Sequence, residues 1–348
     1  MGKIGVALIN LGTPDSVDVK AVRRYLLEFL LDKRVIDKPF IQRNFLVRSL
    51  IVPKRKKIAA NLYAMLPKLP DLPLRYFGNL VAQELNKVLG ENFEVELAMR
   101  YGNPAFKSLL KKWKEKNFEE IIILPLFPQY ASATTGSVLE LFFSQIKNWS
   151  IIPRVHIVRD FYAHPTYIKT QIALAQRCNP SQYDHIVFSY HGLPLHQLKK
   201  ANIIGKHCQG NKACCKPFGS KNNQCYRAQC LQTTELISQG LSLDSLKVTT
   251  TFQSRLGKNP WIEPYTEEVI EKLGVGGIKR VLIFSPSFVS DCLETWIEIE
   301  KEYAESFIQA GGEKLTLVPS LNKEPLWIES LKTMILEKVS YKELSKSF

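Results

Sequence analysis

The sequence of 348 residues lacks any apolar stretch that could cross a membrane as a helix, since no such run reaches the ~18 residues required. It also lacks a signal peptide. The start of the chain leads directly into Gly12-Thr13-Pro14, without a hydrophobic segment and a small-residue cleavage site. We therefore expect a cytoplasmic protein, in which the cysteine thiols are kept reduced.

Phosphate-binding motifs are absent as well. No Gly-x-Gly-x-x-Gly follows the first apolar run and there is no Walker A motif, so a nucleotide cofactor is not implied. The net charge of +14 indicates an anionic partner. Because zinc-finger and helix-turn-helix signatures are missing, we expect acidic lipid or a polycarboxylate rather than nucleic acid. The basic residues at 43–57 are a membrane-surface or substrate-carboxylate feature, or an ordinary solvated face.

Short apolar runs alternate with amphipathic helical patterns along the chain. Such runs are typical of buried parallel strands, and the alternation predicts an α/β protein. The pattern occurs twice, with a junction near 159–165, so we predict two similar doubly wound domains with a ligand cleft between them. The runs are 4–9, 95–99, 121–124, 155–158, 186–188, 248–252, 281–284 and 315–318.

Ligands of such sheets bind beyond the carboxyl ends of the strands, and a histidine stands at one of these ends. His191 follows the run 186–188, and Gly192 and Pro194 end the strand. An imidazole there can act as a base near neutral pH or as a metal ligand. The alternative is a structural histidine that is bonded to a backbone carbonyl.

Acidic residues follow the run 281–284. Asp291 and Glu294 open a helical pattern, and Glu294, Glu298 and Glu302 share one face of it, with Lys301 as the only base between Asp291 and Tyr303. Stacked like charges destabilise a helix unless a cation or shared protons relieve them. The alternatives are capping of the helix and an exposed acidic face.

Hydroxyls and aromatic side chains gather at the same strand ends. The segment Thr134-Thr135-Gly136-Ser137 begins a helix, where hydroxyls and backbone N–H groups suit a carboxylate. Aromatic walls suit a flat aromatic ligand, although core packing is the usual role of any one ring. The aromatic residues concerned are Tyr101, Phe127, Tyr130, Tyr190, Trp261 and Phe288.

Two of these segments resemble the hallmark segments of ferrochelatases. They are Tyr190-His191-Gly192-Leu193-Pro194 and Ser290-Asp291-Cys292-Leu293-Glu294-Thr295. The resemblance covers essentially the whole chain, because further segments match in the family's order. These are Gly12-Thr13-Pro14, Arg100-Tyr101, Pro128-Gln129-Tyr130, Thr134-Thr135-Gly136-Ser137, Gln253-Ser254-Arg255 and Trp261.

The resemblance implies an enzyme that inserts Fe²⁺, its metal substrate, into protoporphyrin IX to form protohaem, without a cofactor for the chemistry. Two Rossmann-like domains, 1–160 and 161–325, would clasp the porphyrin, and a helix at 326–348 would cross back to the first. His191 and Glu294 would handle protons and iron on opposite faces of the ring, with Asp291, Glu298 and Glu302 as a relay. The implied substrate-binding residues are Leu11, Arg100, Tyr101, Tyr130, Ser137, Trp261 and Phe288.

A hydrophobic lip is part of the same resemblance. It comprises 26–31, Phe40, Phe45, Leu46 and 50–52, and it is flanked by the basic residues at 43–57. This arrangement suits peripheral attachment to the inner face of the cytoplasmic membrane. An apolar substrate released from lipid would enter there, which favours protoporphyrin IX over coproporphyrin. Protoporphyrinogen oxidase is an implied partner, and either a monomer or a homodimer is compatible with the sequence.

The chain departs from the family pattern in two places. Cys292 stands where many relatives have a histidine, and the Gly-Asp-Pro-Tyr that usually follows the histidine segment is missing. An insert at about 205–230 replaces it and contains Cys208, Cys214, Cys215, Cys225 and Cys230. A [2Fe–2S] cluster needs four thiolates, so four of these five could hold one. Zinc and reduced thiols without a metal are the alternatives.

Two other functions fit part of these observations. A related chelatase would insert Co²⁺ or Ni²⁺ into a more acidic tetrapyrrole and would not need an apolar lip. A non-catalytic porphyrin or metal carrier would share the two-domain fold but would not need an acid–base pair across the ring.

Overall fold

The chain folds into two compact units, each built around one parallel sheet. The computed structural model describes residues 3–200, 212–255, 257 and 259–339. Within these residues the first unit contains 3–127, 131–160 and 322–339, and the second contains 128–130 and the described part of 161–321. None of the helices in the described ranges is both long and apolar enough to span a bilayer.

The first unit contains a four-stranded sheet of order β2-β1-β3-β4, in which all pairs are parallel. Its strands are β1 Ile4–Thr13, β2 Phe93–Gly102, β3 Glu120–Pro125 and β4 Arg154–Ile157. Its helices, numbered in chain order, are α1 Val19–Leu30, α2 Phe40–Phe45, α3 Val52–Ala64, α4 Pro73–Leu89, α5 Phe106–Lys114, α6 Ser137–Ile146 and α12 Pro325–Val339. Short π-helical segments precede α3 and α6, at Leu46–Ile51 and Ser132–Gly136.

The second unit repeats this topology in the order β6-β5-β7-β8, again with parallel pairs only. Its strands are β5 His185–His191, β6 Val248–Gln253, β7 Arg280–Phe284 and β8 Lys314–Leu317. Its helices are α7 Pro165–Arg177, α8 Leu195–Lys200, α9 Tyr226–Gly240, α10 Thr266–Val275 and α11 Ala304–Gln309, with a π-helical segment at Glu294–Tyr303.

The apolar runs of the sequence form these strands because helices cover both faces of each sheet. In the first unit, residues of β1 and β3 pack against α5 and α6 in one cluster that includes Ile9, Ile121, Trp113 and Phe142. Strands that are buried on both sides read as continuous apolar runs. The predicted α/β fold with two four-stranded parallel sheets flanked by helices is therefore confirmed.

The strand order defines where each sheet can bind a ligand. In the second sheet the chain moves from β5 to one side for β6 and to the other for β7. The carboxyl ends of β5 and β7 therefore border a topological switch point, where open α/β sheets form a crevice. His191 is the last residue of β5, and the segment with Asp291 and Glu294 follows β7. The fold thus brings the two sequence segments to the same edge.

The helix after this segment differs from the expected α-helix. It is π-helical over Glu294–Tyr303 and becomes α11 only from Ala304. A π-helix bonds i to i+5, and such segments are frequent at functional sites. Hydrophobic periodicity cannot predict it, because four residues make nearly one turn in either helix type.

Candidate functional site

His191 lies at the carboxyl end of β5 with a defined orientation of its ring. Its Nδ1 is 2.7 Å from the carbonyl oxygen of Gly192. A carbonyl only accepts hydrogen bonds, so Nδ1 carries the proton and, in the neutral ring, Nε2 carries the lone pair. The ring centroid lies 6.5 Å from that of Trp261 and 6.3 Å from that of Phe288. The sequence left open whether His191 is a base or a structural histidine bonded to a backbone carbonyl. Both descriptions apply, because the bond to the carbonyl uses Nδ1 and leaves the lone pair of Nε2 for a base.

The backbone around His191 is fixed by neighbours within the second unit. The amide of Gly192 donates to the carbonyl of Gln253 at 2.8 Å, and the hydroxyl of Tyr226 donates to the carbonyl of His191 at 2.7 Å. A Cβ at Gly192 would lie 2.7 Å from the carbonyl oxygen of Gln253 and 3.1 Å from the ring of Trp261. Glycine is required there because the chain passes so close to both groups.

The segment after β7 forms a buried turn into the π-helix. The hydroxyl of Thr295 accepts from the backbone N–H of Cys292 at 3.0 Å and donates to a carboxylate oxygen of Asp291 at 3.2 Å. Burial and the nearby charge of Glu294 raise the pKa of the Cys292 thiol well above its ordinary value. Cys292 therefore stays a neutral thiol beside Glu294, rather than the thiolate that would bind a metal strongly.

Glu298 and Glu302 differ in their surroundings, although the sequence predicts both on the face of Glu294. Glu298 accepts four hydrogen bonds, one each from the Gln253 side chain (2.9 Å), the Ser254 amide (2.7 Å), the Ser254 hydroxyl (2.6 Å) and the Tyr303 hydroxyl (2.6 Å). Partial burial and the charge of Glu298 raise the pKa of Glu302 above its usual value. Glu298 is thus an anchored acceptor, and Glu302 takes up a proton more readily than an ordinary glutamate.

Tyr130, predicted as part of the pocket wall, belongs to the second unit. Its backbone N–H donates to the side-chain oxygen of Gln229 in α9 at 2.7 Å. Sequence reasoning did not find Gln229 or Tyr226, because a side chain that binds a distant backbone group has no local sequence signature.

The first unit holds Arg100, Tyr101 and Ser137 around a carboxylate that the sequence analysis missed. Asp32 accepts from the Arg100 guanidinium at 2.6 Å, from the Tyr101 hydroxyl at 2.9 Å and from the Ser137 hydroxyl at 2.6 Å. Arg100 Nε also donates to the Ser137 hydroxyl at 2.7 Å. Tyr101 is fully buried, whereas Arg100 and Leu11 are partly exposed. A lone acid after α1 gives no signal in the sequence.

Three of the insert cysteines lie together. Cys214 and Cys215 are buried and pack with Cys225 and Ala228, and the Arg227 guanidinium donates to the Cys215 sulfur at 3.2 Å. Cys230 is also fully buried and contacts Tyr226. Cys208 lies outside the described residues. Within 3–200, 212–255, 257 and 259–339, no three His, Cys, Asp or Glu side chains form a group that could hold a metal ion.

The predicted lip is an exposed apolar surface. Phe40 and Phe45 of the predicted lip are each more than half exposed, and so is Ile41, which lies beside Phe40 in α2 and extends the lip beyond the predicted residues. Leu30, Val47 and Val52 form a small buried cluster against which residues of 26–31 pack. The lip therefore combines a buried apolar cluster with exposed apolar side chains that are available for an apolar partner.

The chain is similar in sequence to known proteins over nearly its whole length. The sequence model of the ferrochelatase family matches residues 3–339. A ferrochelatase of Legionella pneumophila strain Corby is 42% identical over 335 residues, which cover 96% of this chain and 99% of that protein. A ferrochelatase of Coxiella burnetii strain Dugway 5J108-111 is 41% identical over 333 residues, covering 95% and 93% of the two chains.

A solved structure shares the fold at much lower identity. SirB from Bacillus subtilis with Fe³⁺ superimposes with a TM-score of 0.52 at 11% identity, covering 98% of this chain and 97% of that one. This likeness concerns the fold alone. Because the family model spans nearly the whole chain and the named relatives are similar over their full length, the chain belongs to the ferrochelatase family.

Proposed function

We propose that the chain inserts Fe²⁺ into protoporphyrin IX in haem biosynthesis, with His191 and Glu294 at the reacting atoms. The observation that carries the assignment of roles is the orientation of His191, whose Nδ1 is bound to the Gly192 carbonyl at 2.7 Å. The family membership supports the reaction itself.

His191 is suited to remove a proton from the porphyrin. Two pyrrole N–H protons must leave the ring as the metal enters, and a base must lie within hydrogen-bond reach of one of them. The neutral imidazole offers the lone pair of Nε2, since Nδ1 is already engaged. Trp261 and Phe288, whose rings lie close to the imidazole, provide flat surfaces for the macrocycle.

Glu294 supplies the complementary chemistry. We propose that its carboxylate faces the other side of the porphyrin, where it accepts the second proton or delivers Fe²⁺, a cation that carboxylates bind well. Asp291, Glu298 and Glu302 would carry protons from there to solvent. The raised pKa of Glu302 favours proton uptake at the outer end. Glu298 is held by four donors, which fix the position of its carboxylate in the relay.

The residues of the first unit are proposed to contact the substrate's rim. Arg100 offers a guanidinium donor for a propionate, and Leu11 offers an apolar contact. The buried Ser137 hydroxyl donates to Asp32 and accepts from Arg100, so its role would be to hold the guanidinium in place. Because Asp32 offsets the charge of Arg100, this group is a weaker attractor of additional carboxylates than an unpaired arginine would be. This property favours the dicarboxylic protoporphyrin over the more acidic coproporphyrin.

A [2Fe–2S] cluster on four of the five insert cysteines stays a prediction. The grouping of Cys214, Cys215 and Cys225 beside Arg227 supports it, since a guanidinium complements the negative charge of bound thiolates. The described residues nevertheless contain no formed metal group, so we derive no step of the reaction from a cluster. The visible spectrum of anaerobically purified protein tests this prediction, and a colourless protein would exclude a cluster.

The test of the function itself is an anaerobic assay with Fe²⁺ and protoporphyrin IX in detergent. We expect catalytic loss of porphyrin fluorescence with the appearance of haem, and slower turnover of coproporphyrin III in a parallel reaction. Turnover of coproporphyrin alone would reverse the substrate assignment. Stoichiometric binding without turnover of either porphyrin would favour a carrier.

The exposed lip supports a further part of the proposal, which is attachment to the inner face of the cytoplasmic membrane. Protoporphyrinogen oxidase would deliver the substrate there. We expect Ile41→Asp to lower partitioning onto vesicles of phosphatidylcholine and phosphatidylglycerol at least about tenfold, since burying one large apolar side chain contributes about 1.5–3 kcal/mol. Ile151→Asp is the matched control, because Ile151 is 79% exposed and Ile41 is 81% exposed. Equal losses in a flotation assay would show that the lip is not the docking surface.

A further inference from the structure

Helix α9 directs polar side chains into the second unit in its first turns. It begins at Tyr226, immediately after the cysteine-rich insert. Tyr226, Gln229 and Thr233 are all buried, and they recur at the spacing of one helix face. Buried polar groups are costly unless they are hydrogen-bonded, so each of them needs a specific partner.

The hydrogen-bond partners of these three side chains lie in segments that carry proposed site residues. Gln229 accepts from the Tyr130 amide, and the Thr233 hydroxyl accepts from the Gln129 side chain at 3.2 Å. The Tyr226 hydroxyl donates to the His191 carbonyl at 2.7 Å and lies 3.3 Å from the hydroxyl of Ser287, the residue before Phe288. One face of α9 therefore forms hydrogen bonds with three separate segments, at 129–130, at His191 and at Ser287.

We propose that Tyr226 is a positioning residue for His191 and for the turn at Ser287 and Phe288. This inference rests on the proposed function of His191. The peptide group between His191 and Gly192 is held at both polar atoms. The Tyr226 hydroxyl donates to the carbonyl of His191, and the N–H of Gly192 donates to the carbonyl of Gln253. The carbonyl of Gly192, which holds His191 Nδ1, belongs to the next peptide group along the chain.

The hydroxyl of Tyr226 is a dependable donor. It is buried, and its hydrogen bond to the His191 carbonyl is short, at 2.7 Å. Removing it would leave the His191 carbonyl without this partner and the peptide group held on one side only. The reacting nitrogen would then sample a wider range of positions, and small displacements of a reacting group strongly lower a rate.

The test is Tyr226→Phe, which keeps the ring and removes one oxygen. We expect kcat for Fe²⁺ insertion to fall about tenfold, within the range that misplacement of a reacting group produces, while KM for protoporphyrin stays within about twofold. The matched control is Tyr25→Phe. Tyr25 and Tyr226 are both 7% exposed, and the Tyr25 hydroxyl likewise donates to a backbone carbonyl, that of Gly12, at 3.1 Å. The control should lose similar thermal stability and keep its kcat.

A second measurement does not depend on turnover. Ring ¹⁵N NMR, assigned by comparison with His191→Ala, should show the Nδ1-protonated tautomer of His191 in the native protein and a tautomer mixture in Tyr226→Phe. An unchanged His191 spectrum together with a kcat within twofold of the native value would overturn the positioning role. An equal loss of kcat in Tyr25→Phe would also overturn it. If the native protein inserts no iron, the proposed function fails and the NMR comparison still decides on Tyr226.

Discussion

Replacement of His191 by alanine is expected to abolish iron insertion while leaving porphyrin binding largely intact. A positioned acid–base group contributes about 10²–10⁴-fold to a rate, and His191 offers one fixed lone pair at the end of β5. Binding should persist because the rings of Trp261 and Phe288, which lie beside the imidazole, are retained. The measurements are the initial rate of haem formation and the Kd for protoporphyrin, obtained from its fluorescence without metal.

His185→Ala is the control for this experiment. His185 begins the same strand, is nearly buried and contacts the Thr249 hydroxyl at 2.9 Å, so its loss disturbs β5 without touching the proposed site. We expect its specific activity to stay near that of the native protein after correction for the folded fraction. If His191→Ala weakened porphyrin binding and left turnover per bound porphyrin unchanged, the role of base would have to be withdrawn.

The strands could be predicted because each of them is a local property of the sequence. The run 121–124, for example, forms the centre of β3, where all four positions are buried and apolar. The same reasoning predicted the position of His191, because the residue after a buried run lies at the ligand-binding edge of a parallel sheet. Both inferences use only neighbouring residues and the topology of the fold class.

The contacts that organise the site could not be predicted, because they join residues far apart in the chain. Asp32 meets Arg100 and Ser137, which are 68 and 105 residues away. Glu298 was expected in a relay because it shares a face with Glu294 and Glu302, and that role stays a prediction. Its four donors come from Gln253, Ser254 and Tyr303, and no periodicity in the sequence indicates this.

The Asp32–Arg100 pair leads to the largest expected effect on stability. Asp32→Asn should lower the free energy of unfolding by about 3 kcal/mol, because removing one partner of a buried ion pair leaves the other charge uncompensated. The side chains of Arg100 and Asp32 are only 17% and 7% exposed. Asp15→Asn is the matched control in the same unit. The Arg24–Asp15 pair has the same N···O distance of 2.6 Å, but its side chains are 69% and 31% exposed.

The control should cost under about 1 kcal/mol, as expected for a surface pair. Urea denaturation at neutral pH measures both differences. Equal costs for the two variants would show that burial does not set the value of the Asp32–Arg100 pair.

The pH dependence of this difference has a definite sign. Burial alone would raise the pKa of Asp32, but the Ser137 hydroxyl, the Arg34 amide and the Arg100 charge outweigh it and lower the pKa below the usual value of 3.8. Because the pKa is depressed in the folded state, the ionised carboxylate stabilises the protein at pH values above about 4. The stabilisation is lost as the pH falls through the folded-state value. The difference in unfolding free energy between the native protein and Asp32→Asn should therefore be constant near neutral pH and shrink in acid. A difference that grew on acidification would contradict the ionised, hydrogen-bonded state of Asp32.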